Sequence, residues 1–560
     1  PWKSLDWNLH SASYLTYSLL GLLALLVSIH YLTPKDDTAP HGASTRIVPR
    51  VPYLLPVLGH IPNVIWNADE FFQSQRRRYT QGIFAVHFAG STHNVTHSPG
   101  LTTALLKAPS DKADFSHVAR SIMTRVFGFP RADFDTYARA EEELSACYRC
   151  LLTEPGLGGM VERTAKQVQT NVVDLVTGMS SPVDQTAWEK SGGVEMVPGP
   201  DGQLVAEASL EPLVRDFCAH CASPTLMGSN FLTNFPDFFD DLWTLDRAFL
   251  LMSAGLPRWT PVPAVTRAHI ARRRLLSRLR TFHTALEAHW NGADPGPEWS
   301  DLDDVGALVR ARMPVYRRHG LSVRGRAVME LLLLWAANAN ANALVFWMLT
   351  RIYADAALLA RVRAELRPVV RAARPPQAFG LPEPPRFENF DVDALCARCP
   401  LLKSCYIECL RLDAASWSLK LVKRDFVLAE PDGTGEAWAL RAGEYAHAAH
   451  ALHNTDPAHF PDPGEWKGER HVRADGAAAD MGTIRPYGGG KTMCKGRAFA
   501  FKECMLMAAA VLAVWEVEPR GGGEWKIPAH RQATSVFGAR ADVRVWLRRR
   551  QDIYGEEQGE

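Results

Sequence analysis

Cys494 lies between two sets of glycines, and that arrangement limits the local fold more than any other feature of the chain. The stretch from Arg485 to Cys504 runs RPYGGGKTMCKGRAFAFKEC. Gly488, Gly489 and Gly490 mark a tight turn ahead of the cysteine, Gly496 follows it, and Arg497 to Met507 has the apolar content of a buried helix. A sulfur at that position faces a helix N-terminus, whose N–H groups favour thiolate over thiol. Glycines on both sides let a flat group come close to the backbone. The pattern predicts a ligand thiolate, whereas a lone cysteine without these flanks would be read as a buried structural residue.

The spacing Tyr487-Gly488-x-Gly490-x-x-x-Cys494-x-Gly496 resembles the haem-binding loop of the cytochromes P450, commonly F-G-x-G-x-R/H-x-C-x-G. The resemblance implies that Cys494 is the axial ligand of the iron of haem b, with Tyr487, Gly488 and Gly496 shaping the loop against the cofactor. Three positions depart from the usual form. Tyr487 replaces Phe, Lys495 stands where Pro or an apolar residue is common, and Thr492 replaces the Arg or His that helps hold a haem propionate. Threonine at that place is similar to the branch that holds cholesterol 7α-hydroxylase, sterol 12α-hydroxylase and prostacyclin synthase.

With 62 basic against 61 acidic residues in 560, the formal charge is +1, so no global field draws the chain to nucleic acid. Ten cysteines include the C-x-x-C pairs Cys147/Cys150, Cys218/Cys221 and Cys396/Cys399. Each pair falls in a helix-like segment without the turn residues of a zinc knuckle, and reduced thiols are the better reading than structural zinc.

Between Asp6 and Lys35 there is no charged residue, and Tyr14 to Leu32 is almost wholly apolar. Its length approaches that needed to span a hydrocarbon core of about 30 Å. The reading is a lumenal N-terminus over 1–13, a transmembrane anchor over 14–32, a linker and proline-rich hinge over 33–60, a catalytic body over 61–548 and a polar tail over 549–560. Lys35, Arg46 and Arg50 after the span place the body on the cytosolic side, so the expectation is a single-pass protein of the endoplasmic reticulum. Pro49, Pro52 and Pro56 stiffen the hinge, which is similar to that of microsomal cytochromes P450.

Ile83 to Val95 alternates as a strand pair, and helical periodicity dominates from Asp114 to Leu286. Phe249 to Val265 is expected as a non-helical apolar connection, either packed in the core or dipping into the bilayer surface, and the resemblance favours the second. The six arginines between Arg267 and Arg280 are expected on a solvated or headgroup-facing helix.

Leu331 to Leu349 is uncharged and mostly apolar, but Asn338, Asn340 and Asn342 at its middle would be costly in lipid. A helix through a protein core fits better. At 100° per residue Ala336, Asn340 and Ala343 share one face, against which a flat cofactor can lie, while Asn338 and Asn342 point the other way. In most cytochromes P450 this helix carries A-G-x-D/E-T-T. Laid on that pattern, Ala339 takes the place of the proton-relaying acid and Asn340 that of the threonine, with Trp335 just ahead. Asn at this point again resembles the 7α-hydroxylase branch.

Glu408 and Arg411 stand one helical turn apart and resemble the family's E-x-x-R pair. The stretch from His453 to Arg470 resembles its meander, so Arg470 is expected to join them in a structural cluster. In the strand predicted over Trp417 to Val422, the resemblance gives Lys420 a propionate-binding role. It also makes Trp335, Trp417, Val536 and Phe537 candidates for lining a substrate pocket.

The resemblance implies a mainly α fold with small β-sheets, preceded by one N-terminal transmembrane helix. It also implies a monooxygenase acting on a bulky lipophilic, sterol- or terpenoid-like substrate. Its electrons would come from NADPH through NADPH-cytochrome P450 reductase, with cytochrome b5 as an optional second donor. Two other readings stay open: a haem-thiolate isomerase or dehydratase that needs no reductase, and a non-catalytic haem or sterol carrier.

Overall fold

The computed structural model describes residues 17–18, 21, 45–200, 202–374, 384–431, 436–551 and 553. The expected lumenal segment, the anchor apart from the helical Tyr17, Ser18 and Gly21, the linker as far as residue 44 and the tail from 554 lie outside them. Two compact units emerge. The smaller comprises Pro1–Val118, Trp417–His459 and Gly488–Thr492, and the larger comprises Ala119–Ser416, Phe460–Tyr487 and Met493–Glu560.

The smaller unit is built on the expected hairpin. Ile83–Phe88 pairs antiparallel with Ser91–Thr96. The two-residue turn between them, Ala89 and Gly90, takes positive φ at both positions, the conformation whose twist matches that of the strands. Ser91–Thr96 then pairs parallel with Tyr445–Ala449, and that strand pairs antiparallel with Trp417–Val422. Along this last strand Lys420 and Val422 are buried while their neighbours are half-exposed, as period-2 alternation requires. A second sheet of Thr45–Ile47, Ala437–Leu440 and Phe426–Leu428 packs in the same core.

The larger unit is mostly helical, with a four-stranded sheet and two short hairpins. Its centre is the apolar run singled out in the sequence. That run forms two helices, Val323–Asn338 and Ala341–Tyr353. Ser322 caps the first by accepting the Gly325 N–H, which satisfies one orphan donor. At Asn340 the backbone moves to φ −115°, ψ −46°, so the ladder is interrupted where sequence periodicity alone predicts one continuous rod. Among the described residues this is the stretch long and apolar enough to cross a membrane. Here it is packed into the protein core, with Leu331, Leu334, Phe346, Trp347 and Leu349 all buried. The helix Arg497–Val514 packs in the same core and is buried almost throughout from Glu503 onward.

One expectation is corrected and a second is qualified. The Phe249 to Val265 connection is helical at both ends, since Phe249–Ser253 forms a short helix and the long helix Pro263–Trp290 begins at Pro263. Proline at the first turn costs no hydrogen bond, so it starts that helix instead of breaking it. On the long helix Arg267, Arg273 and Arg274 are exposed as expected, but several of its arginines are also engaged by protein. Arg274 and Arg278 bind Asp241 at 2.6 and 3.1 Å, Arg278 also reaches Asp237, and Arg272 donates to the carbonyls of Arg125 and Val126.

Candidate active site

The loop carrying Cys494 folds as its glycines dictate. Gly488 and Gly490 have φ of +68° and +61°, where a side chain would be strained. A Cβ at Gly490 would also lie 2.4 Å from the Leu106 carbonyl oxygen. The chain then returns so that the Cys494 N–H donates to the Tyr487 carbonyl at 3.0 Å. Tyr487 is itself tied down, because its hydroxyl meets that of the fully buried Tyr406.

Of the ten cysteines, Cys494 is the exposed one. The backbone N–H groups of Gly496 and Arg497 face its sulfur, as the helix N-terminus predicts. The protein around the thiol outweighs them: burial raises the pKa, those amides and the Arg497 charge lower it, and the net shift is upward. The bare chain therefore holds a thiol, and a bound cation would supply the missing stabilisation of the anion. A Cβ added at Gly496 would meet no atom within 4 Å. An accessible sulfur with two amide donors and open space beside its glycine fits the thiolate side of a haem.

On the central helix Ala336 is exposed, while Trp335, Ala339, Asn340 and Ala343 are half-buried amid buried neighbours. Small residues thus leave one open face, as the 3.6-residue period predicts. Asn338 and Asn342 point into protein on the other side. Asn342 Nδ2 donates to Asn338 Oδ1 at 3.2 Å and to the Arg215 carbonyl at 3.1 Å, and Asn338 Nδ2 donates to Ser223 and the Leu334 carbonyl. Asn340 differs, because its Oδ1 accepts the Val536 N–H at 3.1 Å. That bond joins the helix break to the turn holding Val536 and Phe537. The turn is fixed further by the Trp347 Nε1 bond to the Phe537 carbonyl at 2.7 Å and by the Phe537 N–H bond to the Asp413 carbonyl. Trp335 stacks on Phe249 with ring centroids 4.7 Å apart and donates its indole N–H to Asp246 at 2.8 Å.

Glu408 and Arg411 face each other inside the helix Pro400–Leu412, which Pro400 opens. Arg470 donates to Glu408 at 3.0 Å, so the three expected residues meet. His471, next to Arg470, places Nε2 2.9 Å from the same carboxylate, and the Lys467 N–H adds another donor. Arg411 also binds the carbonyls of Pro463 and Glu465, which anchors the meander.

In the smaller unit Lys420 donates to the carbonyls of Leu105, Leu106 and Ala108 at 2.9, 3.1 and 3.4 Å. Burial lowers its pKa. Lys420 and Thr492 line one groove with Leu106 and Gly490, so the two positions expected near the propionates come together. Trp417, on the same strand as Lys420, packs on Phe72 and His447. Sequence reasoning missed Tyr406, His471 and Asp246. Each acts through a partner distant in sequence, and no local pattern marks it.

Residues 326–537 match the family model for cytochrome P450. Over 593 residues the chain is 26% identical to the cytochrome P450 monooxygenase efuG of Hormonema carpetanum, covering 96% of each. It is 24% identical over 525 residues to the cytochrome P450 monooxygenase fsoE of Humicola fuscoatra, covering 84% of this chain and 82% of that one. Cytochrome P450 7A1 of Rattus norvegicus is 26% identical over 301 residues, about half of either chain (52% and 53%). The matched region contains the open helix face, the Glu408 cluster and the Cys494 loop, and together with these relatives it makes the chain similar to the cytochrome P450 monooxygenases.

Proposed function

We propose that the chain is a membrane-anchored monooxygenase that oxidises a bulky lipophilic, sterol- or terpenoid-like substrate, with Cys494 as the axial ligand of haem b. The observation that carries this reading is the accessible Cys494 thiol, faced by the amides of Gly496 and Arg497 at the mouth of a buried helix. The haem would supply dioxygen activation and oxygen-atom insertion, with the thiolate donating electron density to the iron.

The chain's own residues divide the remaining work. Tyr487, Gly488 and Gly496 hold the ligand loop in place, while Lys420, the propionate candidate, has its ammonium donors on the Leu105, Leu106 and Ala108 carbonyls. Ala336 leaves room for the macrocycle. Glu408, Arg411 and Arg470 pin the meander and do no chemistry. Ala339 offers no acid, and Asn340 spends its carbonyl oxygen on Val536, so what it presents is an amide Nδ2 donor. That group can hold a water in place but cannot lose a proton at neutral pH, so protons must arrive through water. Trp335, Val536 and Phe537 of the larger unit would contact substrate.

The proposed domain plan is an anchor at 14–32, a hinge to 60, and a catalytic domain over 61–548 on the cytosolic face of the endoplasmic reticulum. Exposed Leu54, Val57, Ile65 and Trp66 near the hinge support a membrane-facing surface. Cytochrome P450 7A1 and the cholesterol 7-alpha-monooxygenase of Cricetulus griseus support the sterol-like class. NADPH would act through a separate reductase, with cytochrome b5 as a second donor.

The test is turnover in reductase-containing microsomes supplied with NADPH and a lipid extract. The expected product gains the mass of one oxygen. Product formed without NADPH and reductase would instead identify an isomerase or dehydratase, to which the absent acid and Asn340 would be suited. Stoichiometric binding without turnover would identify a carrier.

A further inference from the structure

Beside the small-residue face of the central helix the larger unit holds a chamber of a different character. Ala339, Ala343 and Val536 form its apolar wall, and Arg215, Arg247 and Arg531 bring three guanidinium groups to it. A wider vestibule sharing those three arginines opens outward past Pro212 and Thr244. Nothing in the cysteine loop or the Glu408 cluster accounts for such a concentration of charge.

The acids of the chamber already have partners. Asp246 accepts the Trp335 indole N–H at 2.8 Å. Glu211 accepts the Ala539 N–H at 3.3 Å and meets Arg531 at 3.5 Å. Burial raises the pKa of both, and it does the same to Asp240 in the vestibule, which weakens them as counter-ions. Arg215 gives one Nη to Asp216 at 2.9 Å and lies 4.6 Å from the centre of the Trp243 ring. Its Nε is buried with no hydrogen-bond partner among the described residues. Arg247 is an exposed residue at the mouth of the recess and makes no hydrogen bond or close ion pair among the described residues, and partial burial together with Arg215 and Arg531 lowers its pKa. The buried, unfilled Nε of Arg215 next to the open guanidinium of Arg247 offers an anion two neighbouring donors.

We propose that this chamber is an anion subsite that binds the carboxylate of an otherwise apolar substrate, with Arg215 and Arg247 donating to it. The planar fork of a guanidinium matches a carboxylate bidentately. The apolar wall of Ala339, Ala343 and Val536 favours an anion carried on a hydrocarbon skeleton over a small hydrated ion. The word substrate rests on the monooxygenase reading; the binding itself does not.

The test is calorimetric titration of the full-length holoprotein in detergent with cholanic acid and with its methyl ester, which differ in charge and little else. The acid should bind about tenfold more tightly than the ester, the worth of one charge-assisted hydrogen-bond pair. Arg247→Gln should abolish that advantage without weakening the ester, and Arg247→Lys, which keeps the charge but loses the planar fork, should keep only part of it. Because Arg247 is exposed and makes no hydrogen bond or close ion pair among the described residues, the variant should fold. Equal affinities for acid and ester, or an Arg247→Gln variant that weakens both alike, would overturn the subsite and leave a water-filled channel. A ferrous carbonyl spectrum of the same sample separates the two claims. Loss of the thiolate-type band with the acid preference intact would remove the monooxygenase reading and leave the anion subsite standing.

Discussion

Arg411 donates to Glu408 through two hydrogen bonds of 2.8 Å, Nε to one carboxylate oxygen and Nη2 to the other, with both side chains sealed from solvent. Attraction in such a pair is largely offset by desolvation, so the pair adds little net stability while intact. Removing one partner strands a buried charge at a cost of roughly 3–5 kcal/mol. Arg411→Leu is therefore expected to accumulate as haem-free, thermally labile protein. The check is the ratio of haem absorbance to protein, together with the melting temperature. A fully haem-loaded Arg411→Leu protein would refute the structural role.

Acid should act on the same cluster. Burial works to raise the Glu408 pKa, but the hydrogen bonds from Arg411 and His471, the Arg411 charge and the Lys467 N–H prevail and hold it at about 2. A carboxylate whose folded pKa is depressed contributes stability that is present above its unfolded pKa and lost as pH falls toward the folded one. The contribution should fade from about pH 4.5 down to the folded value of about 2. Arg470→Gln, which removes one donor from Glu408 and keeps the Arg411 pair, should shift the acid-unfolding midpoint to higher pH. Circular dichroism across an acid titration reads that shift.

The paired phenols of Tyr406 and Tyr487 form the other polar link inside the ligand loop's support. Burial raises both pKa values, so the pair stays neutral at any working pH. Tyr487→Phe restores the family's usual residue but leaves the Tyr406 hydroxyl buried without its partner, at about 1–3 kcal/mol. The double replacement Tyr406→Phe with Tyr487→Phe should recover most of that loss, because an apolar pair has nothing left unsatisfied. Denaturant unfolding of the two single variants and the double variant tests this non-additivity.

Cys494→Ser should leave the fold intact, since a serine hydroxyl can still accept from the Gly496 and Arg497 N–H groups and the bond from its backbone N–H to Tyr487 remains. The expected outcome is a folded protein whose ferrous carbonyl adduct lacks the red-shifted Soret band of thiolate ligation. Retention of that band would assign the ligand to a different residue.

How much of this was legible in the sequence depended on whether the signal was local. The Cys494 loop, the Glu408/Arg411 spacing and the Ile83 to Val95 hairpin are written in glycines, one helical turn and strict alternation, and each appears where those patterns put it. The opposed faces of Asn338/Asn342 and Asn340 followed from helical period alone. What the sequence did not disclose were relations closed by tertiary packing. His471 on Glu408, Asp246 under Trp335 and Asp241 among the arginines of the long helix are of this kind, because nothing in a stretch of arginines tells whether lipid headgroups or a neighbouring helix will meet them. The interruption at Asn340 was hidden too, since an apolar run gives no sign that one amide will be drawn toward a turn far along the chain.

That interruption frames the last prediction. The Asn340 Oδ1 bond to the Val536 N–H fixes both the helix break and the turn, leaving Nδ2 free among the described residues to face the open side. Asn340→Ala removes the acceptor and the donor together. It should cost about 1–3 kcal/mol for the unpaired Val536 N–H and raise the NADPH consumed per product formed. Asn340→Thr supplies a hydroxyl that can donate and relay, and it should change the same ratio in the opposite direction. Oxygen uptake, NADPH oxidation and product measured side by side give the ratio. If both variants match the native coupling, Asn340 serves the backbone alone and the proton path lies elsewhere.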